Sequence, residues 1–277
     1  MTDRGGCAAG GGGERDSRGG EAVLGAARSS GLVAGGEPLL VLLSGGGDSV
    51  CLLDVALRLD ARVSALHVNY GLREGAVADE TLCRELCERL GVPLTVERVG
   101  LPAGGNLQDH AREARYDLAE RLAAGDYAAA HTASDQAETV LYRLAVSPGS
   151  RALQGMRARR GRLVRPLLGV TRSEVREYLV ARGLEWREDP SNADRRFARA
   201  RVRHDVLDAL RALNPAAERT IAETARQLRE EGEVLEQAVD ELLARVGAFE
   251  TANALRPALG GDPPAPVALA VPLAALR

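Results

Sequence analysis

The sequence predicts an α/β fold: a Rossmann-like, doubly wound parallel sheet followed by a small, basic and mainly helical domain. Apolar runs alternate with helical patterns, a glycine-rich turn joins the first run to the first helix, and a basic, turn-rich stretch begins after Pro148. A length of 277 residues suits one α/β domain with a smaller extension. Right-handed crossovers between parallel strands then place helices on both faces of the sheet.

Four strand-then-helix units build the predicted sheet. Their strands are LLVLL (39–43), RVSALHV (62–68), PLTVERV (93–99) and DYAAAH (126–131), and their helices cover 48–59, 76–90, 107–124 and 134–146. Ligands of such sheets bind beyond the carboxyl ends of the strands. Ser44, the segment His67–Asn69 and His131 lie at those ends, so they are the first candidates for a functional site.

The predicted domain organisation has three parts. Residues 1–36 are of low complexity and are expected to be disordered or a non-native extension. The main domain covers 37–147 and continues through a further strand and helix to about residue 200. A helical region covers 201–277, with a break at Asn214-Pro215, where Asn214 suits a helix cap, and a weakly ordered tail from residue 250.

The composition is that of a soluble globular protein, with 45% hydrophobic and 27% charged residues. No apolar run approaches the roughly 20 residues of a membrane helix, and the N-terminus lacks the apolar block of a signal peptide. We therefore expect a cytoplasmic protein with no membrane partner. Four cysteines, Cys7, Cys51, Cys83 and Cys87, form no C-x-x-C pair, which predicts inert, packed thiols rather than a metal site.

The chain contains no lysine, so all 36 basic residues are arginine. Any mechanism that needs a lysine of the protein is excluded, and with it the phosphate-binding loop of P-loop kinases and GTPases, G-x-x-x-x-G-K-[ST]. The dinucleotide-binding fingerprint G-x-G-x-x-G also fails, because Val50 stands where its last glycine is needed.

What remains between the first strand and its helix is the loop Ser44-Gly45-Gly46-Gly47-Asp48-Ser49. Glycines let backbone N–H groups approach an anion closely, and the following helix start adds its positive dipole end. A bare phosphate would repel Asp48, so this side chain is expected to face a phosphate-bound Mg²⁺ or to cap the helix. A tight strand-to-helix turn with an Asp cap is the alternative interpretation.

The pattern S-G-G-x-D-S after the first strand resembles the pyrophosphate loop (PP-loop) of the N-type ATP pyrophosphatases. That resemblance implies cleavage of ATP between its α and β phosphates and activation of a substrate oxygen as an adenylate. It also implies ATP contacts from all six loop residues and a magnesium contact from Asp48 through phosphate. The loop alone does not choose among the members of that superfamily.

Further motifs narrow the choice. They are HVNYGLR (67–73), NLQDHAREARY (106–116), AHTASDQAETVLYRL (130–144), RPLLGVTRSEV (165–175) and EDPSNADRRFARARVR (188–203). In this order they resemble the tRNA(Ile)-lysidine synthetases over roughly 39–203. The resemblance implies that ATP adenylates the C2 carbonyl oxygen of the wobble cytidine in an isoleucine tRNA with a CAU anticodon, and that free lysine then displaces AMP to form lysidine.

That reaction needs groups that the motifs can supply. Negative charge at the α-phosphate suits Mg²⁺ and the forks of Arg112 and Arg115, three apart on one helix. Lysine attacks only as a neutral amine, and His131 and Asp135 are placed to act as a base and an anionic site. Taken alone, His131 could be a structural hydrogen-bonder and Asp135 a helix-start acid.

The end of the second strand is a further candidate for ATP contacts. The resemblance implies that His67 and Asn69 lie near adenine and ribose. Asn69 could equally start the turn toward Gly71.

Basic charge is concentrated after the predicted nucleotide domain. Between Arg151 and Arg203 there are 15 Arg against 6 Asp and Glu, a surplus of nine, although the whole chain has a formal charge of −3. Phosphate contacts to tRNA would use such a stretch, whereas surface arginines in place of lysines are the alternative. The candidate tRNA-binding residues are Arg115, Arg151, Arg165, Arg199, Arg201 and Arg203.

The sequence departs from the family pattern at three places, and rival functions stay open. Ser134 stands where many members carry Asp, AVSPGS lacks an arginine, and Ala200 replaces an Asn. A tRNA thiolase of the same superfamily, an RNA-binding pseudoenzyme and an amidotransferase such as NAD synthetase are the alternatives. A monomer and a homodimer are both compatible with the sequence.

Overall fold

The computed structural model describes residues 13–71, 75–100, 107–188, 195 and 198–255, with side chains between 20 and 245. Six strands form one sheet in the order β3-β2-β1-β4-β6-β5. The strands are β1 Pro38–Leu42, β2 Arg62–Asn69, β3 Leu94–Arg98, β4 Asp126–Ala128, β5 Arg159–Arg160 and β6 Leu163–Val164. The helices are α1 Gly13–Ser29, α2 Gly47–Arg58, α3 Ala76–Leu90, α4 Leu107–Leu122, α5 Ala133–Val146, α6 Ser150–Leu153, α7 Arg172–Arg182, α8 Ala198–Arg201, α9 Asp208–Leu213 and α10 Ala217–Leu255.

The predicted parallel sheet is confirmed. All neighbouring strands pair in parallel except β5 and β6, which form an antiparallel hairpin at the edge. Strand β1 lies between β2 and β4, and the chain order reverses there. In open α/β sheets such a reversal opens a crevice outside the carboxyl ends of the strands, so the loops after β1 and β4 face a common space.

Helices cover both faces of the sheet. One buried cluster joins α1, α2, α3 and α7 to one face, through side chains such as Leu52, Leu86 and Leu179. A second cluster joins Ala119 of α4 to the opposite face, beside Leu40. Both faces of the sheet are therefore covered by helices and shielded from solvent, as in a doubly wound sheet.

The N-terminal segment corrects the expectation that residues 1–36 have no fold of their own. Helix α1 covers Gly13–Ser29, and its Val23 and Ala27 are buried in the cluster that includes Val175 of α7. Apolar residues occupy only one face of this glycine-rich helix. The low overall apolar content of the segment therefore gave no indication that it packs against α7. Residues 1–12 lie outside the described residues.

The C-terminal part is helical, as predicted. A six-residue π-helical segment, Val202–Leu207, leads into α9, and the predicted break follows at Asn214. The Asn214 Oδ1 accepts the N–H of Ala216 at 3.0 Å, just before α10 begins. The chain divides into two compact units, 1–225 and 226–277, and the domain boundary expected at residue 201 stays a prediction.

The predicted weakly ordered tail from residue 250 lies mostly outside the described residues, although α10 extends to Leu255. Among the helices that the structure describes, none has the length and hydropathy needed to cross a bilayer.

Candidate active site

A cavity of about 1360 Å³ opens at the carboxyl ends of the strands within the first unit. The glycine loop forms one wall, Ala129–His131 after β4 forms the next, and Thr171–Arg176 at the start of α7 closes a third side. The rim is built by segments 186–188 and 203–219. The predicted loop and the predicted His131 thus share one cavity.

Hydrogen bonds between its own residues shape the glycine loop. The Ser44 N–H donates to Ser49 Oγ at 3.1 Å, and the Ser49 hydroxyl donates to the Gly46 carbonyl at 2.8 Å. Gly45 has a φ of +85°, which a side chain would strain. The first N–H groups of α2, at Gly47 and Asp48, have no partner within their helix, so this end offers donors and a positive dipole end to an anion.

A segment that follows α7 packs directly on this loop. The Arg187 N–H donates to the Gly45 carbonyl at 3.0 Å, and the Arg187 guanidinium pairs with Asp79 of α3 at 2.9 Å. A methyl group on Gly47 would lie 3.3 Å from Trp186 Cδ1. A side chain at position 47 would therefore require Trp186 to shift by a few tenths of an ångström. This contact could not be predicted from the sequence, because Trp186 lies far along the chain.

Asp48 of the glycine loop and Asp135 and Glu138 of α5 form a cluster of carboxylates, here called the carboxylate wall. Two arginines that line the cavity, Arg172 and Arg203, bridge them. Arg172 pairs with Asp135 at 2.7 Å, with Glu138 at 3.2 Å and with Asp48 at 3.9 Å. Arg203 donates to both Glu138 oxygens at 2.7 and 3.2 Å. When all are ionised, three negative charges face two positive ones, so the cluster keeps a net charge of about −1 and favours a further cation.

The pKa of Asp48 is raised by its burial and by the negative charge beside it. Burial, and after it the charge of Asp135, raises the pKa of Asp48 to about 6, against the opposing effect of Arg172 and Arg203. A cation bound beside the carboxylate would lower that pKa again. Within the described residues, no group of three or more His, Cys, Asp or Glu side chains has a metal-binding arrangement, so Asp48 would need a ligand's own oxygens to share a metal ion.

Asp135 has two roles at once. Its Oδ2 accepts the backbone N–H and the hydroxyl of Thr132, both at 2.9 Å, and so caps α5. Its Oδ1 faces Arg172. Although burial raises the pKa of Asp135, Arg172 and the Thr132 donors lower it below the ordinary value, so this carboxylate is ionised at neutral pH.

His131 lines the cavity between these two walls. Its Nδ1 accepts the Nε–H of Arg165 at 3.1 Å. Burial lowers the pKa of His131 to about 3, and Arg165, Arg112 and Arg115 add to this against the attraction of Asp135. A neutral ring whose Nδ1 accepts a hydrogen bond carries its proton on Nε2. His131 is therefore arranged as a donor, and the expected base role does not fit this geometry.

His67 and Asn69 are not placed against the cavity. Their exposed fractions are 4% and 8%. His67 Nδ1 bonds to the Leu43 carbonyl at 2.9 Å, while Asn69 donates to Glu80 at 3.0 Å and accepts the N–H of Gly71 at 2.9 Å. The turn interpretation of Asn69 fits this geometry. Val68 and Tyr70 line the wall instead, because alternate residues of a strand point to opposite faces.

The candidate tRNA-binding arginines separate into two groups. Arg151, Arg199 and Arg201 are exposed. Arg203 is engaged by Glu138, and Arg165 is only 5% exposed, which corrects its assignment as a phosphate contact.

Arg112 and Arg115 lie on α4 with their guanidinium carbons each 5.5 Å from the centre of the Tyr116 ring. Arg115 also lines the cavity. Of the predicted arginine pair, Arg115 therefore adds positive charge to the cavity, while Arg112 is not among the described residues that line it.

The described cysteines are not part of the site. Cys51, Cys83 and Cys87 are buried, and no cysteine is among the residues that line the cavity. Burial raises the pKa of Cys87 to about 11 and that of Cys83 to about 12, so these thiols stay protonated. Cys7 lies outside the described residues.

Two residues of the site were not singled out from the sequence. Glu138 lies three positions after Asp135 on α5, and this i,i+3 spacing places both acids on one helical face. Arg172 follows Thr171, the cap of α7. Both stand inside the quoted motifs, so the signal was present, but only the fold brings Arg172 to face α5.

The sequence is similar to curated proteins over about 70% of its length. The tRNA(Ile)-lysidine synthase of Pseudomonas fluorescens is 41% identical over 204 residues, which cover 70% of this chain and 46% of that protein. The tRNA(Ile)-lysidine synthase of Solibacter usitatus is 42% identical over 208 residues, covering 72% of this chain and 47% of that protein. The chain thus spans about half the length of these curated relatives.

Among solved structures, the U34-tRNA thiolase NcsA from Methanococcus maripaludis has a TM-score of 0.67 at 17% identity, over 78% of this chain and 80% of that chain. At this identity the similarity concerns the fold alone. A family model described as the PP-loop domain matches residues 26–210, a range that includes the sheet, the glycine loop and the carboxylate wall. The chain belongs to the PP-loop domain family.

Proposed function

We propose that the chain catalyses the tRNA(Ile)-lysidine synthetase reaction in the cytoplasm. ATP adenylates the C2 oxygen of the wobble cytidine in an isoleucine tRNA with a CAU anticodon, and free lysine then displaces AMP. The observation that carries the proposal is one cavity lined by the anion-binding glycine loop, with its Asp48, and by Arg172 and Arg203. These two arginines pair with Asp135 and Glu138 behind them. Relatives with that name at about 40% identity support it.

ATP fits the glycine loop by its phosphates. The unpaired N–H groups at the start of α2 and the Ser44 and Ser49 hydroxyls can donate to phosphate oxygens. Asp48 is the carboxylate of that loop and can contact Mg²⁺ held by the same phosphates, since Mg²⁺ commonly uses one or two carboxylates together with phosphate. When bound, the metal neutralises phosphate charge. Burial, and after it the charge of Asp135, raises the pKa of Asp48, so a cation bound beside this carboxylate would stabilise its ionised form.

Lysine fits the carboxylate wall. The chain has no lysine of its own, so the attacking amine comes from a free substrate. Asp135 and Glu138 can hold its ammonium group, with Arg172 and Arg203 moving aside or sharing the carboxylates. Because His131 is arranged as a donor, the acceptor of the amine proton is a carboxylate of this cluster.

The tRNA fits the exposed arginines. Arg199 and Arg201 precede Arg203, whose guanidinium reaches the cavity, so a phosphate backbone bound by the first two would pass close to the site. Arg151 on α6 would extend that contact.

A thiolase is the second candidate because the NcsA fold is similar. The buried, protonated cysteines of the described residues do not favour it, since sulfur transfer needs accessible thiolates or a cluster in the site.

The test is incorporation of labelled lysine into an unmodified isoleucine tRNA transcript bearing CAU, with ATP and Mg²⁺. We expect ATP-dependent incorporation that falls at least about 100-fold in Asp48→Asn and persists in Asp117→Asn, an exposed acid of α4. Pyrophosphate release with tRNA but no lysine incorporation would instead direct the work to sulfur donors. Silence in both assays would favour an RNA-binding pseudoenzyme.

A further inference from the structure

We propose that Arg165 is a positioning residue that holds His131 with its proton on Nε2, so that His131 donates a hydrogen bond to a substrate oxygen in the cavity. The proposal rests on the proposed function only for the identity of that oxygen. It replaces two expectations from the sequence, a tRNA contact for Arg165 and a base role for His131.

The hydrogen bond from Arg165 determines the tautomer of His131. Its Nε–H donates to His131 Nδ1 at 3.1 Å, and its Nη1–H donates to the Arg157 carbonyl at 2.7 Å. A guanidinium has only donors and does not lose its proton in proteins. His131 Nδ1 must therefore be the acceptor, and the proton of the neutral ring must be on Nε2.

Arg165 is itself held in place. It follows the last residue of β6, and its own N–H donates to the Ala158 carbonyl at 2.9 Å. Met156, two residues before Ala158, is held by the side-chain amide of Gln136. The Gln136 Nε2–H donates to the Met156 carbonyl at 3.0 Å, and the Met156 N–H donates to Gln136 Oε1 at 2.7 Å. With 5% exposure, Arg165 has little freedom to turn toward solvent.

The Nε2 of His131 is the ring nitrogen left for a ligand. His131 lines the cavity, and Nε2 is not among the buried nitrogens without a partner in the described residues. Nε2 also makes no hydrogen bond to the described residues. It is therefore an accessible nitrogen without a protein partner, and it is free to bond to a ligand in the cavity.

The charged groups around the ring keep it neutral. Arg165 lies on the β6 side, Arg112 and Arg115 lie on α4, and Asp135 lies on α5. Burial and the three arginines act against the cationic ring, while Asp135 favours it. A neutral Nε2–H can stabilise negative charge on a phosphate or carbonyl oxygen without any proton transfer.

The first measurement is the tautomer of His131 by long-range ¹H–¹⁵N correlation. The chain has only 4 histidines, and His131→Asn assigns the signal by its loss. We expect the neutral Nε2–H pattern from pH 5.5 to 8. A neutral Nδ1–H pattern, or titration of His131 within that range, would overturn the proposal whatever the enzyme's activity.

The second measurement uses Arg165→Met, which keeps an unbranched apolar stem but removes all donors, and Arg165→Lys, which keeps a cationic N–H donor group. We expect the methionine variant to mix the two tautomers and to lower kcat for lysine incorporation about 10-fold or more, with KM for ATP changed less. Compared with Arg165→Met, the Arg165→Lys variant should show most of the wild-type Nε2–H signal and part of the wild-type kcat.

Arg89→Met, a substitution at an exposed position of α3, is the control. It should change neither the tautomer of His131 nor kcat for lysine incorporation. A well-folded methionine variant with the wild-type tautomer and kcat would contradict the role of Arg165. If that variant does not fold, the wild-type tautomer and the lysine variant still decide the question. If no lysine is incorporated at all, the proposed function fails while the tautomer test stands.

Discussion

At the scale of the residue, Asp135 shows that a structural role and a functional role can share one side chain. One carboxylate oxygen caps α5 and the other faces Arg172 in the cavity. The two interpretations of the sequence, a helix-start acid and a site residue, were therefore never exclusive. The cap fixes the orientation of the carboxylate, which a site residue needs.

Asp48 makes stability depend on pH. Its pKa in the folded chain is raised from 3.8 to about 6, so between about pH 4 and 6 the folded state binds more protons than the unfolded state. The stability that protonation provides is lost as pH rises through 6, and above that the ionised group destabilises the fold.

We therefore expect Asp48→Asn to stabilise the chain by on the order of 2 kcal/mol above pH 7, with a gain that shrinks toward pH 4. Urea unfolding of both proteins at pH 7.5, 6 and 4.5 measures it. Asp117→Asn should show no such trend. A gain that grows as pH falls would contradict the raised pKa.

For His67 and Asn69, the sequence motif predicts the position in the strand but not the direction of the side chain. Their positions at the end of β2 were predicted correctly, and so was the meeting of the loop with His131. Which side chains turn away from the cavity depends on strand register and on partners such as Glu80, a residue of α3 that only the fold brings near. The contacts of Arg165 and Arg172 were hidden for the same reason. Arg165 bonds to His131, which follows β4, and Arg172 pairs with side chains of α2 and α5.

At the scale of the element, the glycine loop is clamped between α3 and the segment after α7. A methyl group on Gly47 would lie 3.2 Å from Leu179 and 3.3 Å from Trp186, tighter than most such contacts. The loop geometry thus depends on a segment about 140 residues further along the chain.

We expect Gly47→Ala to push α7 away from the loop, to cost about 1 kcal/mol or more of stability, and to weaken ATP binding at least several-fold. Trp186 is the single tryptophan, so its fluorescence reports both the shift and ATP titrations. Gly169→Ala is the matched control, because a methyl group there meets nothing within 4 Å. Equal ATP affinities of the two variants would argue against the clamp.

Helix α1 is the element that composition concealed. Val23 is 1% exposed in the core shared with α7, whereas Val77 on α3 is 70% exposed. We expect Val23→Ala to lower the free energy of unfolding by about 1–2 kcal/mol and Val77→Ala to change it by less than about 0.5 kcal/mol. Denaturant melts compare them, and equal effects would mean that α1 adds nothing to the fold.

The four strand-then-helix units were predictable because each carries its own periodicity. The hairpin of β5 and β6 has two residues per strand, too short for any period to show. Its place at the sheet edge comes from the pairing of Tyr127 with Leu163, which is tertiary.

At the scale of the whole molecule, positive charge is local while the chain is acidic overall. The formal charge is −3, yet Arg199 and Arg201, two positions apart, are both exposed and closely precede Arg203 of the cavity rim. Such a distribution favours docking of a polyanion at one surface and repulsion elsewhere.

We expect Arg199→Gln and Arg201→Gln each to weaken tRNA binding and to reduce the slope of log affinity against log salt by about 1. Arg165→Lys should leave that slope unchanged, since the side chain is buried. Filter binding between about 50 and 200 mM salt gives the slopes. A loss of slope in the Arg165 variant would return that residue to the tRNA surface.

A homodimer stays a prediction at this scale. Sedimentation of the chain with and without tRNA, across a range of protein concentrations, would decide it.

Cys83 lies directly behind the glycine loop: a methyl group on Gly45 would be 3.5 Å from its sulfur, and the side chain is fully buried. An alkylating reagent can therefore reach this thiol only when α3 separates from the loop. The rate of alkylation at Cys83, followed by peptide mass spectrometry, measures the free energy of that opening. A nucleotide held by the closed loop should slow the rate by a factor of about one plus its concentration over its Kd, so a covalent trap reads out affinity without any turnover.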